Sequence, residues 1–333
     1  MRTSRWLFTV AQLVFLVAGA RNASSTDKPV RVVADRAIPV VTANGKGILP
    51  VYLTLDGQFA DWSVAQPSVT RALILVHGLE RNAEQNHRVG ERAVRNAGSA
   101  GQGTLLIGPQ FLSEVDAQAH ALPGNVLRWS EDRWMAGANA ENAQLSSYDA
   151  IDVILAKLTD RKIFPNLKTV VLAGHSAGGQ FVQRYAAVGK AGDALERSGI
   201  HLRFVVANPS SYLYFTPERP GLKPKGDFTF EIPSDTCHGK YNHWKYGLED
   251  PPPYVGTIAS ADVEQRYLTR EMVYLLGTSD NDPNHPELDK NCGAEDEGPQ
   301  RFFRGKGISA ICKYGIRNWP QPRLVSGCGR FLA

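Results

Sequence analysis

The sequence contains no dense cluster of lysine and arginine, no internal repeat and, beyond its first twenty residues, no long apolar run. Its 37 basic and 33 acidic side chains nearly balance, so the formal net charge of +4 gives no reason to expect a nucleic-acid partner. Without a second apolar run, no membrane span is expected after the N-terminus. With 43% hydrophobic and 21% charged residues, the composition excludes a disordered or fibrous chain and is typical of a globular protein.

The N-terminus has the layout of a secretory signal peptide. Residues 1–20 begin with two arginines, continue as an apolar run and end in small residues, which favours cleavage after Ala20. The apolar run is short for a membrane span of about 20 residues, and it contains Gln12. We therefore expect export, with residues 21–29 as a linker and a formal charge that falls from +4 to +2 once the two arginines are removed.

Cysteine is scarce, with four residues in the whole chain: Cys237, Cys292, Cys312 and Cys328. An even number in an exported chain is consistent with two disulfides, although four buried thiols remain an alternative. Three pairings are open, and we favour Cys237 with Cys292 because both lie in loop-rich segments on the same side of the expected fold.

The order of apolar segments predicts an α/β protein with a mostly parallel sheet and an antiparallel N-terminal hairpin. Two strand-like segments flank an Asn-Gly-Lys-Gly turn, and later apolar runs alternate with helical material, as in buried parallel strands. A helix is expected over Ser147–Leu158. The predicted strands lie within residues 30–41, 48–55, 72–76, 104–107, 169–173, 204–207 and 272–276 of a single domain that spans 30–333.

Two insertions, residues 109–143 and 212–259, are too long to be simple connections. Long loops at the carboxyl ends of such strands commonly shape a substrate site. We expect the first insertion, which carries Trp129 and Trp134, to form a wall of the substrate pocket. For the second insertion, a site wall and irregular packing over the sheet remain equal alternatives.

The segment Gly174-His175-Ser176-Ala177-Gly178-Gly179 follows an apolar strand and precedes residues with helical spacing. A strand, a G-x-S-x-G turn and a helix together are typical of a nucleophile elbow, in which a sharp turn lifts the serine oxygen clear of the backbone. Ser176 is therefore the predicted nucleophile. Ala177 follows it and is expected to supply one backbone N–H to an oxyanion, and His175 is expected to line the substrate pocket.

A second oxyanion donor is expected about 100 residues upstream, where His77-Gly78-Leu79 ends another apolar strand. We predict that Leu79 supplies this N–H group. His77 is expected at the edge of the pocket, where it buttresses the turn through a hydrogen bond rather than acting as a general base.

The order of the elements, the His-Gly turn and the GHSAGG elbow resemble the α/β-hydrolase superfamily of serine esterases and lipases, over roughly residue 30 to the C-terminus. Shorter segments resemble an exported, uncharacterised branch of it. The resemblance implies an α/β-hydrolase fold, an ester substrate and no cofactor or metal. It also implies a triad acid after a late strand, which matches Asp280, with Asp282 as the alternative.

The triad histidine is harder to identify, because the superfamily places it after the acid, in a loop that follows the final strand. Only His285 follows Asp280, and it lies in the same loop. Residues 323–330 resemble the final strand and its loop, where Arg330 stands in place of histidine and cannot act as a base. Three explanations stay open: a truncated or frame-shifted C-terminus, a catalytically inactive relative, or substitution by His285 or another histidine.

The sequence therefore predicts a secreted serine hydrolase that acts on a small or polymeric ester. The competing hypothesis is a secreted binding or scaffold protein that keeps the fold without turnover. A metal site near Cys237, His238 and His243 is disfavoured, because their spacing matches no familiar zinc pattern. The sequence predicts no particular oligomeric state.

Overall fold

A computed structural model describes residues 28–222, 228–234, 237–256, 259–314 and 330–332 of the chain. The predicted signal peptide at residues 1–20, most of the linker at 21–29 and most of the predicted final strand at 323–330 lie outside the described residues. Cys328 also lies outside them.

Strands and helices alternate along most of the described chain. The strands are β1 Arg36–Thr42, β2 Gly45–Leu55, β3 Gln58–Phe59, β4 Arg71–Val76, β5 Thr104–Pro109, β6 Thr169–His175, β7 His201–Ala207, β8 Arg219–Leu222, β9 Phe228–Glu231, β10 Glu271–Leu275 and β11 Arg330–Leu332. The α-helices are α1 Ala83–Asn96, α2 Glu114–Ala119, α3 Ser147–Leu158, α4 Ala177–Val188, α5 Gly192–Arg197, α6 Ser260–Thr269, α7 Cys292–Glu295 and α8 Arg301–Tyr314, with short 3₁₀ segments at Gly98–Gly101, Arg133–Ala136 and Cys237–Asn242.

The main sheet confirms the predicted α/β architecture. Its strand order is β1-β2-β5-β4-β6-β7-β10-β11, and β3 pairs with β2 at the side. The β1–β2 hairpin and the β2–β5 pair are antiparallel, whereas every neighbour from β5 to β11 is parallel. Because parallel strands share one direction, the segments that follow β4, β6 and β10 emerge at the same edge of the sheet.

Helices cover the sheet and bury its apolar strands. All six residues of β5 are buried, as expected for a strand in the middle of a covered sheet. Helix α1 packs on β4 and β5, and α4 packs on β6 and β7 with all twelve of its residues buried. The predicted helix α3 begins after Ser146, whose Oγ accepts a hydrogen bond from the Tyr148 N–H at 3.0 Å.

The two insertions contact each other. Residues 109–143 contain α2 and the 3₁₀ turn Arg133–Ala136, and residues 212–259 contain the antiparallel β8–β9 pair. The Trp244 indole N–H donates to the Ala136 carbonyl at 2.7 Å, and the Lys245 ammonium pairs with Asp132 at 3.2 Å. The second insertion is thereby held against the first.

A disulfide joins Cys237 in the second insertion to Cys292 at the start of α7, as the sequence analysis favoured. Their Cα atoms lie 5.5 Å apart. The bond fixes the insertion to the segment between β10 and α8, which includes the predicted acid. Among the described helices, none has both the length and the apolar character needed to cross a lipid bilayer.

Candidate active site

Ser176 lies at the junction of β6 and α4, where a sharp turn gives it an unusual backbone conformation. Its φ of 56° and ψ of −118° place a non-glycine residue in a sparsely populated region, and its N–H donates to the Ala207 carbonyl at 2.9 Å. The residue is partly exposed, while the helix that follows is buried. This is the geometry of a nucleophile elbow.

Three glycines of the elbow allow backbone segments to approach more closely than any side chain would permit. A Cβ on Gly174 would lie 2.3 Å from the Gly178 carbonyl carbon, and one on Gly178 would lie 2.4 Å from the Val76 carbonyl oxygen. A Cβ on Gly179 would lie 2.7 Å from the Ala207 carbonyl oxygen. The start of α4 therefore rests directly on the ends of β4 and β7.

This close approach brings the two predicted oxyanion donors to the same edge of the sheet. Ala177 is the first residue of α4, where N–H groups have no carbonyl partner within the helix. Leu79 lies in a turn that the Arg81 N–H closes by donating to the Gly78 carbonyl at 3.1 Å. Both are backbone N–H groups, which is the type of donor an oxyanion hole uses.

His77 has no solvent-exposed surface and supports the turn that carries Leu79. Its Nε2 accepts from the Phe111 N–H at 2.9 Å, so the ring proton resides on Nδ1 and is donated to the Gly78 carbonyl at 2.8 Å. Burial lowers the pKa of His77 to about 4, which keeps the ring neutral. The ring supports the turn through a hydrogen bond, as the sequence analysis expected, and it presents no exposed surface to a pocket.

Trp129 and Trp134 are also completely buried. The Trp134 ring stacks on Phe111 with 5.4 Å between centroids, and Phe181 of α4 packs against both of these rings. The Trp129 indole N–H donates to a backbone carbonyl within its own insertion. The expectation that the two tryptophans line a pocket is corrected, because both are buried core residues, and Trp134 packs the first insertion against α4.

Asp280 follows β10, two strands away from the strand that carries the predicted nucleophile. Its N–H donates to the Gly277 carbonyl at 3.0 Å, and the Gly277 N–H donates to the Asn208 side chain at 2.8 Å. The carboxylate is partly exposed, and its Oδ1 accepts a hydrogen bond from Arg301 at 3.2 Å.

Arg301 is a site residue that the sequence analysis did not identify. It is the first residue of α8, and 6% of its surface is exposed. One guanidinium nitrogen donates to Asp280, and another donates to the Glu287 carbonyl. Arg301 therefore joins two points of the loop that carries the predicted acid. Asp280 and Arg301 lie 21 residues apart in the chain, and no sequence motif indicated that they pair.

His175 immediately precedes Ser176 in the chain and is exposed. Partial burial lowers the pKa of His175, the nearby Arg301 charge lowers it further, and the Asp280 carboxylate opposes both effects. His175 therefore lies within electrostatic reach of the predicted acid and its arginine partner.

His285 and Asp282 belong to one local turn. The His285 Nδ1 accepts from the Glu287 N–H at 3.1 Å, and Asp282 accepts from the Asn284 N–H at 2.8 Å. Within the described residues, no hydrogen bond joins the His285 ring to Ser176 or Asp280.

Strand β11 pairs in parallel with β10, with Arg330 opposite Val273. The sequence analysis placed Arg330 in the loop after the final strand, at the position of the triad histidine. The structure corrects this, because Arg330 begins the strand itself.

Among the described residues, the one grouping of side chains suited to a metal ion is Cys237, Cys292 and Asp296. The two sulfurs are already joined in the disulfide, so neither is a thiolate that could coordinate a metal.

Comparisons with known proteins identify the architecture. Poly(aspartic acid) hydrolase-1 from Sphingomonas sp. KT-1 is 22% identical, with 84% of this chain and 85% of that chain covered and a TM-score of 0.52. LpqC, a poly(3-hydroxybutyrate) depolymerase from Bordetella parapertussis, is 20% identical over 89% of this chain and 85% of that chain, with a TM-score of 0.49. No protein-family model matches the chain, and no curated protein does. From its sheet order and its likeness to the first of these structures, the chain has the fold of the α/β-hydrolase superfamily.

Proposed function

We propose that this protein is a serine hydrolase that cleaves a carboxylic ester or a related acyl bond through an acyl-enzyme on Ser176. The observation that carries the proposal is the strained Ser176 backbone, with φ of 56°, at a strand-to-helix junction built from closely packed glycines. Strain of this kind persists where the surrounding structure imposes it, and it commonly marks a functional residue. Ala177 and Leu79, on either side of the elbow, support the same reaction class.

In this mechanism the Ser176 Oγ attacks the acyl carbon while a histidine removes its proton. The negative charge that develops on the carbonyl oxygen receives hydrogen bonds from the Ala177 and Leu79 N–H groups. The histidine then protonates the departing alcohol, and water attacks the acyl-enzyme by the reverse sequence. Asp280 fixes the histidine tautomer and stabilises its charged form without taking the proton.

Two histidines are candidates for the base. His285 follows Asp280 in the chain, in agreement with the order of triad residues in this fold. His175 adjoins Ser176 and interacts electrostatically with Asp280. Both are accessible to solvent, unlike His77, whose two ring nitrogens are already hydrogen-bonded inside the core.

We also propose that the protein acts outside the cytoplasm on a small or polymeric substrate. The Cys237–Cys292 disulfide supports export, because such bonds persist in oxidising compartments. The solved structure with a TM-score of 0.52 is a hydrolase of a polymer, poly(aspartic acid), which is compatible with a polymeric acyl substrate.

A second candidate function is a binding protein that retains the hydrolase fold without turnover. The observation that favours it is the pairing of the Asp280 carboxylate with Arg301, where an active triad has a histidine. In such a protein the elbow would be a structural remnant, and Ser176 would not be activated.

Labelling with a fluorophosphonate probe distinguishes the two functions, because the probe reports an activated serine without a known substrate. We expect the native chain to be labelled, Ser176→Ala to lose the label, and the exposed control Ser63→Ala to keep it. Loss in only one of His175→Asn and His285→Asn identifies the base. An unlabelled native chain, with its fold verified by circular dichroism, would reject the hydrolase and favour the binding protein.

A further inference from the structure

A cluster of buried polar side chains lies beneath α8, away from the elbow. We call it the arginine cluster and define it as Arg219, Arg304, Glu297, Tyr212 and Tyr214. Arg219 is 3% exposed, and the other four have no exposed surface. The mechanism proposed above uses none of them.

Each member of the arginine cluster has a buried polar atom without a hydrogen-bond partner among the described residues. Four of these atoms are donors: the two tyrosine hydroxyls, Arg219 Nε and Arg304 Nη2. The fifth is Glu297 Oε1. Buried polar atoms in native proteins nearly always have a partner, so a group outside the polypeptide is expected to satisfy these donors.

The members of the arginine cluster are packed together. The Arg219 guanidinium lies 4.6 Å from the centre of the Tyr214 ring, and Tyr214 interacts electrostatically with Glu297, Arg219 and Arg304. The Tyr212 N–H donates to the other carboxyl oxygen of Glu297 at 2.8 Å. The unsatisfied donors therefore belong to one buried region.

The tyrosine hydroxyls are directed at two glycines of α8, which leave little room around them. A Cβ on Gly305 would lie 2.9 Å from the Tyr212 hydroxyl, and one on Gly307 would lie 3.4 Å from the Tyr214 hydroxyl. A ligand that fits here is small.

The guanidinium groups of this region have no carboxylate in close contact among the described residues. Arg219 and Arg304 donate to backbone carbonyls and an asparagine oxygen, and the adjacent Arg184 donates to Gln180, Ser211 and a backbone carbonyl. Among the described residues, none of these three arginines forms an ion pair within 4.0 Å, and the nearby Asp289 carboxylate already pairs with Lys245. Glu297 is the carboxyl group buried among these side chains, and the charges of Asp289, Glu295 and Asp296 act on Arg304 and Arg219 from farther away.

We infer that the arginine cluster binds a small monovalent inorganic anion of the chloride class between the Arg219 and Arg304 guanidinium groups and the Tyr212 and Tyr214 hydroxyls. An anion can accept the four unpartnered donors and places a negative charge beside guanidinium groups that form no close ion pair. A water molecule accepts only about two hydrogen bonds and leaves the charge unchanged. The site would be separate from the catalytic residues, and the inference does not depend on the proposed hydrolase activity.

The state of Glu297 supports the same conclusion. Burial raises the pKa of Glu297 to about 8, although Arg304 and Arg219 oppose the increase. At neutral pH the carboxyl group therefore mostly retains its proton and repels an anion little.

Two measurements on the full chain test the inference. Crystals grown in bromide should show an anomalous peak in contact with the Tyr214 hydroxyl and the two guanidinium groups. At constant ionic strength, replacing gluconate, which is too large for the site, with chloride should raise the melting temperature, because an anion bound only to the folded state stabilises it. Ordered water alone at the site, or equal melting temperatures in the two salts, would overturn the inference.

Two matched variants locate the effect. Tyr214→Phe removes one donor to the anion and should raise the chloride concentration for half of the stabilisation roughly tenfold or more. Tyr241→Phe removes the hydroxyl of the other tyrosine over Arg219, which is partly exposed, and should leave that concentration unchanged. An equal change in both variants would place the anion elsewhere. If Tyr214→Phe does not fold, the bromide position in crystals of the native chain shows whether the anion occupies the arginine cluster.

Discussion

Acidification should destabilise this protein through His77, whose neutral ring supports the Leu79 turn. The pKa of His77 is lowered by burial from its ordinary value of 6.5 to about 4. Below pH 6.5 the unfolded chain therefore takes up a proton that the folded chain refuses, and stability is lost as the pH falls toward 4. At roughly 1.4 kcal/mol for each tenfold difference in proton affinity, the loss approaches about 3 kcal/mol.

The assay is urea denaturation of the native chain and His77→Gln at several pH values between 7 and 4.5. His77→Gln should be less stable than the native chain at pH 7, by about 1–3 kcal/mol, because the buried Phe111 and Gly78 groups lose well-placed partners. The stability of His77→Gln should then decline less steeply with falling pH than that of the native chain. The two slopes should differ by at most about 1.4 kcal/mol per pH unit, which corresponds to one proton. The pKa of His87 is also lowered to about 4, so His77→Gln should retain part of the pH dependence.

The exposed control His238→Gln should keep the native pH dependence. If His77→Gln loses stability with the same slope as the native chain, His77 is not a neutral buried group in the folded state, and the reasoning fails. A protonated His77 has no lone pair for the Phe111 N–H, so fluorophosphonate labelling of the native chain should also decline near pH 4, where the folded ring takes up its proton.

Three further predictions concern the elbow, the acid loop and the disulfide. Gly178→Ala should destabilise the fold by about 1–3 kcal/mol in urea denaturation and abolish probe labelling, because its Cβ would lie 2.4 Å from a backbone oxygen. Gly124→Ala, with no atom within 4 Å of the added Cβ, should do neither. Arg301→Met should slow probe labelling by loosening Asp280, with partial recovery in Arg301→Lys; equal rates in both variants and the native chain would contradict this role. The disulfide joins residues 55 positions apart, so its reduction should lower the free energy of unfolding by about 4 kcal/mol if the bond acts by reducing the entropy of the unfolded chain. An unchanged urea midpoint after reduction would refute this prediction.

Much of the fold could be predicted because its signals are local. The apolar runs that form β4 and β6 are short, continuous and followed by glycine, a sequence pattern that is typical of strands buried on both faces. Helix α3 has the predicted bounds, Ser147–Leu158, since Ser146 caps it and its apolar residues recur at helical spacing. The elbow was predictable for a similar reason, because Gly178 and Gly179 stand beside Ser176 in the sequence.

The remaining site features depend on contacts between distant residues. A tryptophan in a long loop has the same sequence signature whether it lines a pocket or packs in the core, and only the contact of Trp134 with Phe181 decides between them. Arg301 could not be identified, because its partner lies on a different element and arginines at the start of helices are common on surfaces. Sequence patterns report burial and periodicity well, but they do not report which polar groups meet.

The Arg301 contact limits how a histidine can complete the site. A carboxylate has about four lone-pair positions, and Arg301 engages only the Oδ1 atom of Asp280. The Oδ2 atom accepts no hydrogen bond within the described residues, and the side chain is partly exposed, so a histidine N–H has a free acceptor. The arginine is therefore compatible with a working triad. It fixes the orientation of Asp280 and leaves the Oδ2 atom available to the base, and the labelling experiment tests whether His175 or His285 is that base.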